Sequence, residues 1–274
     1  MLDHILILVK GAGDLATGVI HRLHRVGMKV AATELPQPLA IRRAVAFASA
    51  VYEGVWTVEG VVARCVSDER AMEHALAAGE VPVWVDPEAR ILKWLHPDAV
   101  VDAVMAKRNT GTTIADAPVV VALGPGFSAG LDCHAVIETN RGHNLGRVIL
   151  HGQAQADTGI PGEMGGESAR RALRAPTDGL FVGRRVIGDL VQAGEPVATV
   201  AGQPVVAQID GVLRGLLHDG LTVRAGCKVG DVDPRAVVEH CFTISDKARA
   251  IGGSVLEAIL CRLFGVSSAR QPRV

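Results

Sequence analysis

The chain has 274 residues, with 28 Lys and Arg against 29 Asp and Glu. That length predicts one large domain or two moderate ones. Near-zero net charge sets aside a nucleic-acid binder that lives on phosphate contacts. With 49% hydrophobic and 21% charged residues, disorder as a class is excluded, because so much apolar surface must be buried. Three Trp, one Tyr and five Phe leave little material for base-stacking platforms or membrane-interface belts. The 31 glycines imply tight turns, or backbone brought close to a ligand.

The opening Met1-Leu2-Asp3-His4 precedes an apolar run too short for the core of a signal peptide. No run reaches the roughly 18 apolar residues of a bilayer span. Cys65, Cys133, Cys227, Cys241 and Cys261 are odd in number and scattered, with no CxxC pair. Neither a disulfide framework nor a metal site is expected, and a cytoplasmic location follows.

Residues 5–9 (ILILV) predict a strand, followed at once by Gly11-Ala12-Gly13-Asp14-Leu15-Ala16. Ala16, Val19, Ile20, Leu23 and Val26 then share one helical face. Gly27 stops that helix, and 28–32 reads as a second strand. The turn fits G-x-G-x-x-G/A with Ala16 in the third place. The first glycine permits the sharp turn, and the second lets main-chain N–H groups approach a phosphate. The helix N-terminus adds unpaired donors and partial positive charge. Glu34 stands where a ribose-binding carboxylate is expected. Asp14 beside a phosphate is unfavourable unless paired, and Lys10 is a candidate partner.

Residues 39–50 read as a helix carrying Arg42 and Arg43, either a solvated face or a phosphate clamp. A β-rich stretch (VWTVEGVVARCV) follows, then a helix over 68–78, a strand over 82–85 and a helix over 98–106. Lys107-Arg108-Asn109-Thr110-Gly111-Thr112-Thr113 is a basic loop that suits an anion or an ordinary connection. The strand 118–123 runs into Gly124-Pro125-Gly126-Phe127-Ser128-Ala129-Gly130. In open α/β sheets ligands sit at the carboxyl ends of strands, so two such loops suggest a shared site. His134 and His143 lack metal-ligand spacing and read as structural. Strands over 134–139 and 147–150 complete this part.

Residues 151–171 suit a linker or a functional loop. Beyond them lies an internal repeat. Shifted by 32 positions, Ala175, Asp178, Gly179, Gly183, Gly188, Val191, Ala193, Gly194, Val197 and Val200 fall on identical residues. Half a sheet cannot bury its own face, so the copies should clasp by a pseudo-two-fold. The pattern resembles the barrel-sandwich hybrid of biotinyl and lipoyl domains. Its connecting turn, Ala201-Gly202-Gln203-Pro204-Val205-Val206, has no lysine, so covalent biotin or lipoate is not expected. Ser245 then suits an N-cap, with Ile251, Val255, Leu256, Ile259, Leu260 and Leu263 as an apolar stripe. Gly252-Gly253 inside this helix costs roughly 1 kcal/mol per glycine, which a close helix crossing or a ligand approach would explain. Cys241 beside the cap is either a small buried hydrophobe or a thiol of lowered pKa.

Several long motifs carry a family resemblance: KGAGDLATGVIHRLHRVG, ELPQP-x-x-IRR-x-VAF-x-x-AVYEG, LGPGF-x-AG, HAVIET-x-RGH-x-LGRVI and ISDKARAIGG-x-VLEAIL. Together they resemble the YqeB family, accessory proteins of selenium-dependent molybdenum hydroxylases. The first part is also similar to the Rossmann domain of XdhC-type maturation factors. The stretch GEMGGESARR after Pro161 has no firm place in that pattern. The resemblance implies cytoplasmic maturation of a molybdenum hydroxylase partner, with no family catalytic residue carried over.

The expected fold class is therefore α/β. A Rossmann-like parallel sheet domain over 1–155 precedes an all-β barrel-sandwich hybrid, biotinyl/lipoyl-like, over 172–240. A C-terminal helix over 243–265 packs on the rest. The expected ligand is a molybdopterin-type cofactor or a (di)nucleotide. It is placed at Gly11, Gly13, Asp14, Ala16 and Glu34, with Gly124, Gly126 and Gly130 as the facing wall. Arg42, Arg43, Lys107 and Arg108 are candidate anion partners, and Cys241 the weak candidate for a chalcogen carrier. An NAD(P)-dependent oxidoreductase and a non-enzymatic scaffold with a vestigial nucleotide site are the alternatives. A homo-oligomer is compatible with the sequence.

Overall fold

The computed structural model describes residues 2–157, 159 and 162–265, so Thr158, Ile160 and Pro161 of the linker lie outside the described residues. The first strand, β1 (Leu6–Lys10), leads through the glycine turn into α1 (Asp14–Arg25) and back to β2 (Lys29–Glu34). Residues 43–49 form only short 3-10 turns before the single-turn α2 (Ala50–Glu53). The helix expected over 39–50 is absent: Ala46 is extended, at φ −127° and ψ 122°, and splits the segment into two short 3-10 turns. The hairpin β3 (Val55–Val58) and β4 (Val61–Val66) turns at Glu59 and Gly60, both at positive φ. Next come α3 (Glu69–Ala77), β5 (Val81–Val85), α4 (Leu92–Leu95) and β6 (Ala99–Asp102). The helix expected over 98–106 is thus corrected to a strand. Its four residues are buried on both faces, and such a strand loses the polar alternation that marks an exposed one. Finally β7 (Val119–Leu123), β8 (Ala135–Ile137) and β9 (Val148–Ile149) complete the sheet.

These nine strands form one sheet in the order β3-β4-β5-β2-β1-β6-β7-β8-β9. The inner pairs are parallel, while β3–β4 and β8–β9 are antiparallel. Alternate residues face two cores. Ile7, Val9, Val30 and Val101 pack beneath α1 and the last helix, α5 (Asp246–Leu263). Leu8, Ala31, Val100 and Val120 pack with Met72 of α3 and Phe127. The two helices touch backbone to backbone. A Cβ on Gly18 would lie 2.7 Å from Ala248, and one on Gly252 2.6 Å from the Gly18 carbonyl oxygen. The helix crossing therefore explains Gly252, while Gly253 has nothing within 4 Å.

The repeat contributes β11 (Gly179–Gly183), β12 (Leu190–Val191) and β13 (Pro196–Val200) from its first copy. The second copy contributes β15 (Gly211–Leu216), β16 (Thr222–Val223) and β17 (Lys228–Asp233). The copies exchange strands: β12 pairs with β15, and β16 with β11. With β10 (Ala172–Arg174) and β14 (Gln203–Val206) they make two four-stranded antiparallel sheets, β10-β17-β15-β12 and β14-β13-β11-β16.

The expected fold class is corrected on both parts. In place of a Rossmann-like parallel sheet there is a mixed nine-stranded sheet, closed at each edge by a short antiparallel strand. In place of a separate biotinyl/lipoyl-like hybrid there are two antiparallel sheets tied into the larger unit. The Leu216 N–H donates to the Ile41 carbonyl at 2.8 Å, and Gly215 allows that approach. Among the described residues no helix is long and apolar enough to cross a membrane.

Candidate functional site: a cationic cleft at the strand ends

The parallel strands β1, β6, β7 and β8 end on one side of the sheet, as their register requires. The loops that follow them, the first turns of α1 and α5, and the β10–β17–β15 sheet enclose a cleft of about 490 Å3. Eight cationic side chains line it (Arg42, Lys107, Arg141, Arg171, Arg174, Arg214, Lys228 and Lys247) against three carboxylates (Asp14, Asp157 and Asp231). Asp231 is shared by Arg171 at 2.7 Å and Lys228 at 2.8 Å. Lys107 pairs with Asp157 at 2.7 Å, and Arg141 with Asp246 at 2.8 Å. Lys247 has no ion pair among the described residues, and burial pushes its ammonium below the ordinary lysine value; nearby Asp14 opposes this. The cleft therefore carries more positive charge than its own carboxylates neutralise, at a place where an anion would be partly desolvated.

The glycine turn leads up to the cleft, which Asp14 and Leu15 at the start of α1 line. Gly11 has φ +89°, and a Cβ there would lie 3.2 Å from the main chain of Ala103 and Val104. Its N–H donates to the Thr33 carbonyl at 2.8 Å. Gly13 is the N-cap of α1 with no side-chain cap, and a Cβ on it would meet nothing within 4 Å. The helix thus begins with open donors facing free space, the arrangement that suits an anion. Glu34 ends β2 beneath the turn rather than in the cleft. Its Oε1 accepts the Ala12 N–H at 3.0 Å and its Oε2 the Leu35 N–H at 2.6 Å. Burial raises its pKa above the ordinary carboxylate value, and the two N–H donors oppose that rise. Lys10 does not reach Asp14. It is 6% exposed, donates to Thr112 Oγ1 and stands 3.6 Å from Asp102.

Of the expected site, Asp14, Arg42 and Lys107 line the cleft, while Gly11 and Gly13 stand in the turn just before it and do not line it. Ala16 lies in the core under α1. Arg43 instead donates from Nε to the Leu216 carbonyl at 3.1 Å. Arg108 is exposed, and its main chain fills the space over Gly126, where a Cβ would approach to 2.6 Å. Gly124 faces Thr139 Oγ1 in the same way, at 2.6 Å, and Gly130 makes a turn with Cys133. Only Pro125 of that loop lines the cleft. Cys241 is fully buried, its thiol set toward the Leu213 carbonyl at 3.8 Å. Burial pushes that thiol up, so it is held protonated and out of reach of the cleft.

Sequence reasoning missed Arg141, Arg171, Arg174, Arg214, Lys228 and Lys247. A signal for part of this set lies in the repeat itself. Thirty-two residues before Arg214, Lys228, Asp231 and Asp233 stand Val182, Pro196, Thr199 and Ala201. The second copy keeps the glycines and valines that build the fold and places charge at positions where the first has none.

No family model matches the chain. The uncharacterized protein YqeB of Escherichia coli (strain K12) is 48% identical over 269 residues, covering 98% of this chain and 50% of that protein. The chain thus spans about half the length of the curated relative it matches. The relative and the motif resemblance agree on YqeB. Among solved structures, the succinylglutamatedesuccinylase/aspartoacylase of Rhodobacter sphaeroides is similar at 18% identity and TM-score 0.26, over 83% of this chain and 84% of that one. An aspartoacylase family protein of Mesorhizobium loti is similar at 13% identity and TM-score 0.29, over 83% of this chain and 84% of that one. At these scores the likeness carries no argument about fold or activity.

Proposed function

We propose that the protein binds a phosphate-bearing ligand in the cationic cleft and acts as an accessory or maturation protein for a selenium-dependent molybdenum hydroxylase. The observation that carries the binding reading is the charge imbalance of the cleft, eight cations against three carboxylates, beside the uncapped first turn of α1. Main-chain donors and a helix N-terminus favour phosphate without requiring a particular side chain. The ligand is a molybdopterin-type cofactor or a nucleotide. The partner is the hydroxylase itself, on the strength of the YqeB-like and XdhC-like motifs. The oxidoreductase alternative is weaker, because both oxygens of Glu34, its best support, are engaged by main-chain N–H groups.

The test is equilibrium titration with molybdopterin and with nucleotides, joined to mass spectrometry of any small molecule that copurifies. Binding on the order of micromolar, weakening as salt rises, is expected. No binding by any of them and no phosphate-bearing copurifying molecule would overturn the reading. The accessory role is checked separately, by restoring activity to a hydroxylase expressed without the protein.

A further inference from the structure

We propose that the same ligand carries a second anionic group, seated between the guanidiniums of Arg42 and Arg214, so that it bridges the large sheet and the β15–β17 sheet. This rests on the reading of the cleft as a phosphate site. Arg42 follows β2, and Arg214 belongs to β15. Their side chains are only 10% and 6% exposed, yet both line the cleft. They converge on one acceptor: the His240 carbonyl receives Arg42 Nη2 at 3.0 Å and Arg214 Nε at 3.4 Å. Arg42 Nη2 also donates to the Thr243 carbonyl at 3.1 Å. Two buried like charges held by neutral carbonyls are costly unless an anion joins them.

The carboxylates at hand do not discharge that cost. Asp233 stands 3.4 Å from Arg214 but is already held in two-point fashion by Arg235, at 3.0 and 2.7 Å. Asp14 reaches Arg42 only at 3.5 Å. Among the described residues Arg42 Nε is buried without an acceptor, and His240 Nδ1 is buried without a hydrogen-bond partner. Burial, with Arg42 adding to it, lowers the Arg214 pKa to about 10. Arg214 finds its remaining contacts in Met164 Sδ at 3.2 Å, a poor acceptor for a guanidinium. A phosphate or carboxylate oxygen pair is the group that matches two such planar forks.

The experiment compares AMP, with one phosphate group, and ADP, with two, by calorimetric titration of the full chain. Wild type should bind ADP about tenfold tighter than AMP. In Arg214→Met and Arg42→Met that ratio should fall to about one, and in Arg214→Lys, which keeps the charge and loses the fork, to an intermediate value. A melting curve of each unliganded variant checks folding, and Arg214→Lys carries the test if Arg214→Met does not fold. If AMP binds wild type and ADP binds no tighter, the second seat is overturned and the cleft reading stands. If the ratio survives in the variants, the two arginines only join the sheets, and the seat is again overturned. If neither nucleotide binds, both ideas fail for nucleotides, and molybdopterin titrated against the same variants must show the arginine dependence or the seat is abandoned.

Discussion

The two glycine-rich turns that follow β1 and β7 look alike in sequence and do different things. After β7, Gly124 and Gly126 face Thr139 and the main chain of Arg108, each closer than a Cβ could tolerate. Their missing side chains let the protein pack on itself. After β1, Gly11 is constrained in the same manner, but Gly13 faces open space at an uncapped helix start. A glycine after a strand therefore marks a ligand approach only where the space over it is free. Where protein already fills that space, the glycine is a packing residue.

Substitutions can break this comparison. Lys10→Met, beneath the β1 turn, would leave Asp102 buried at 1% exposure with its cation gone. Unfolding in urea should show a loss of about 3–5 kcal/mol. Gly126→Ala, in the β7 turn, combines φ +106° with a Cβ 2.6 Å from Arg108 main-chain atoms, and a loss of about 3 kcal/mol is expected. Gly13→Ala should cost less than about 1 kcal/mol, because its φ of −64° suits any residue and its Cβ meets nothing. Equal losses at Gly13 and Gly126 would show that the two turns are not different after all.

A smaller effect separates Glu34 from a ligand-binding carboxylate. Its folded-state pKa is raised, so the stability it contributes is present at acid pH and is lost as pH rises through that raised value. Glu34→Gln should flatten this part of the stability profile, measured by urea unfolding across the acid range. An unchanged slope would mean that the two N–H donors cancel the effect of burial on Glu34.

The segment from β1 to β2 was legible because its signals are local. An apolar run, a glycine turn and one apolar helix face lie within some 30 residues, about the length of a βαβ unit. The repeat was legible for the same reason, since its glycines recur at one spacing. Ser245 was read as an N-cap, and its Oγ accepts the Ala248 N–H at 3.2 Å. The strand β6 was misread because burial on both faces removed its alternation. The mixed character of the large sheet was hidden because the strand over 147–150 and the VWTVEGVVARCV stretch show strands but not the direction in which they pair. The cleft was half legible. Asp14, Arg42 and Lys107 sit near recognisable loops, whereas Arg214 and Lys228 come from strands far along the chain. Their trace in the sequence is charge at repeat positions where the first copy has Val182 and Pro196.

The most direct test of the central claim is titration of wild type and Gly13→Val with molybdopterin and AMP, alongside thermal melts of both proteins. Valine would fill the free space over the first turn of α1 without meeting protein atoms at its Cβ. The account predicts binding to wild type, a loss of about tenfold or more in the variant, and melting temperatures within a few degrees of each other. Equal affinity in the two proteins would contradict it, because the open helix start would then not be where the phosphate sits.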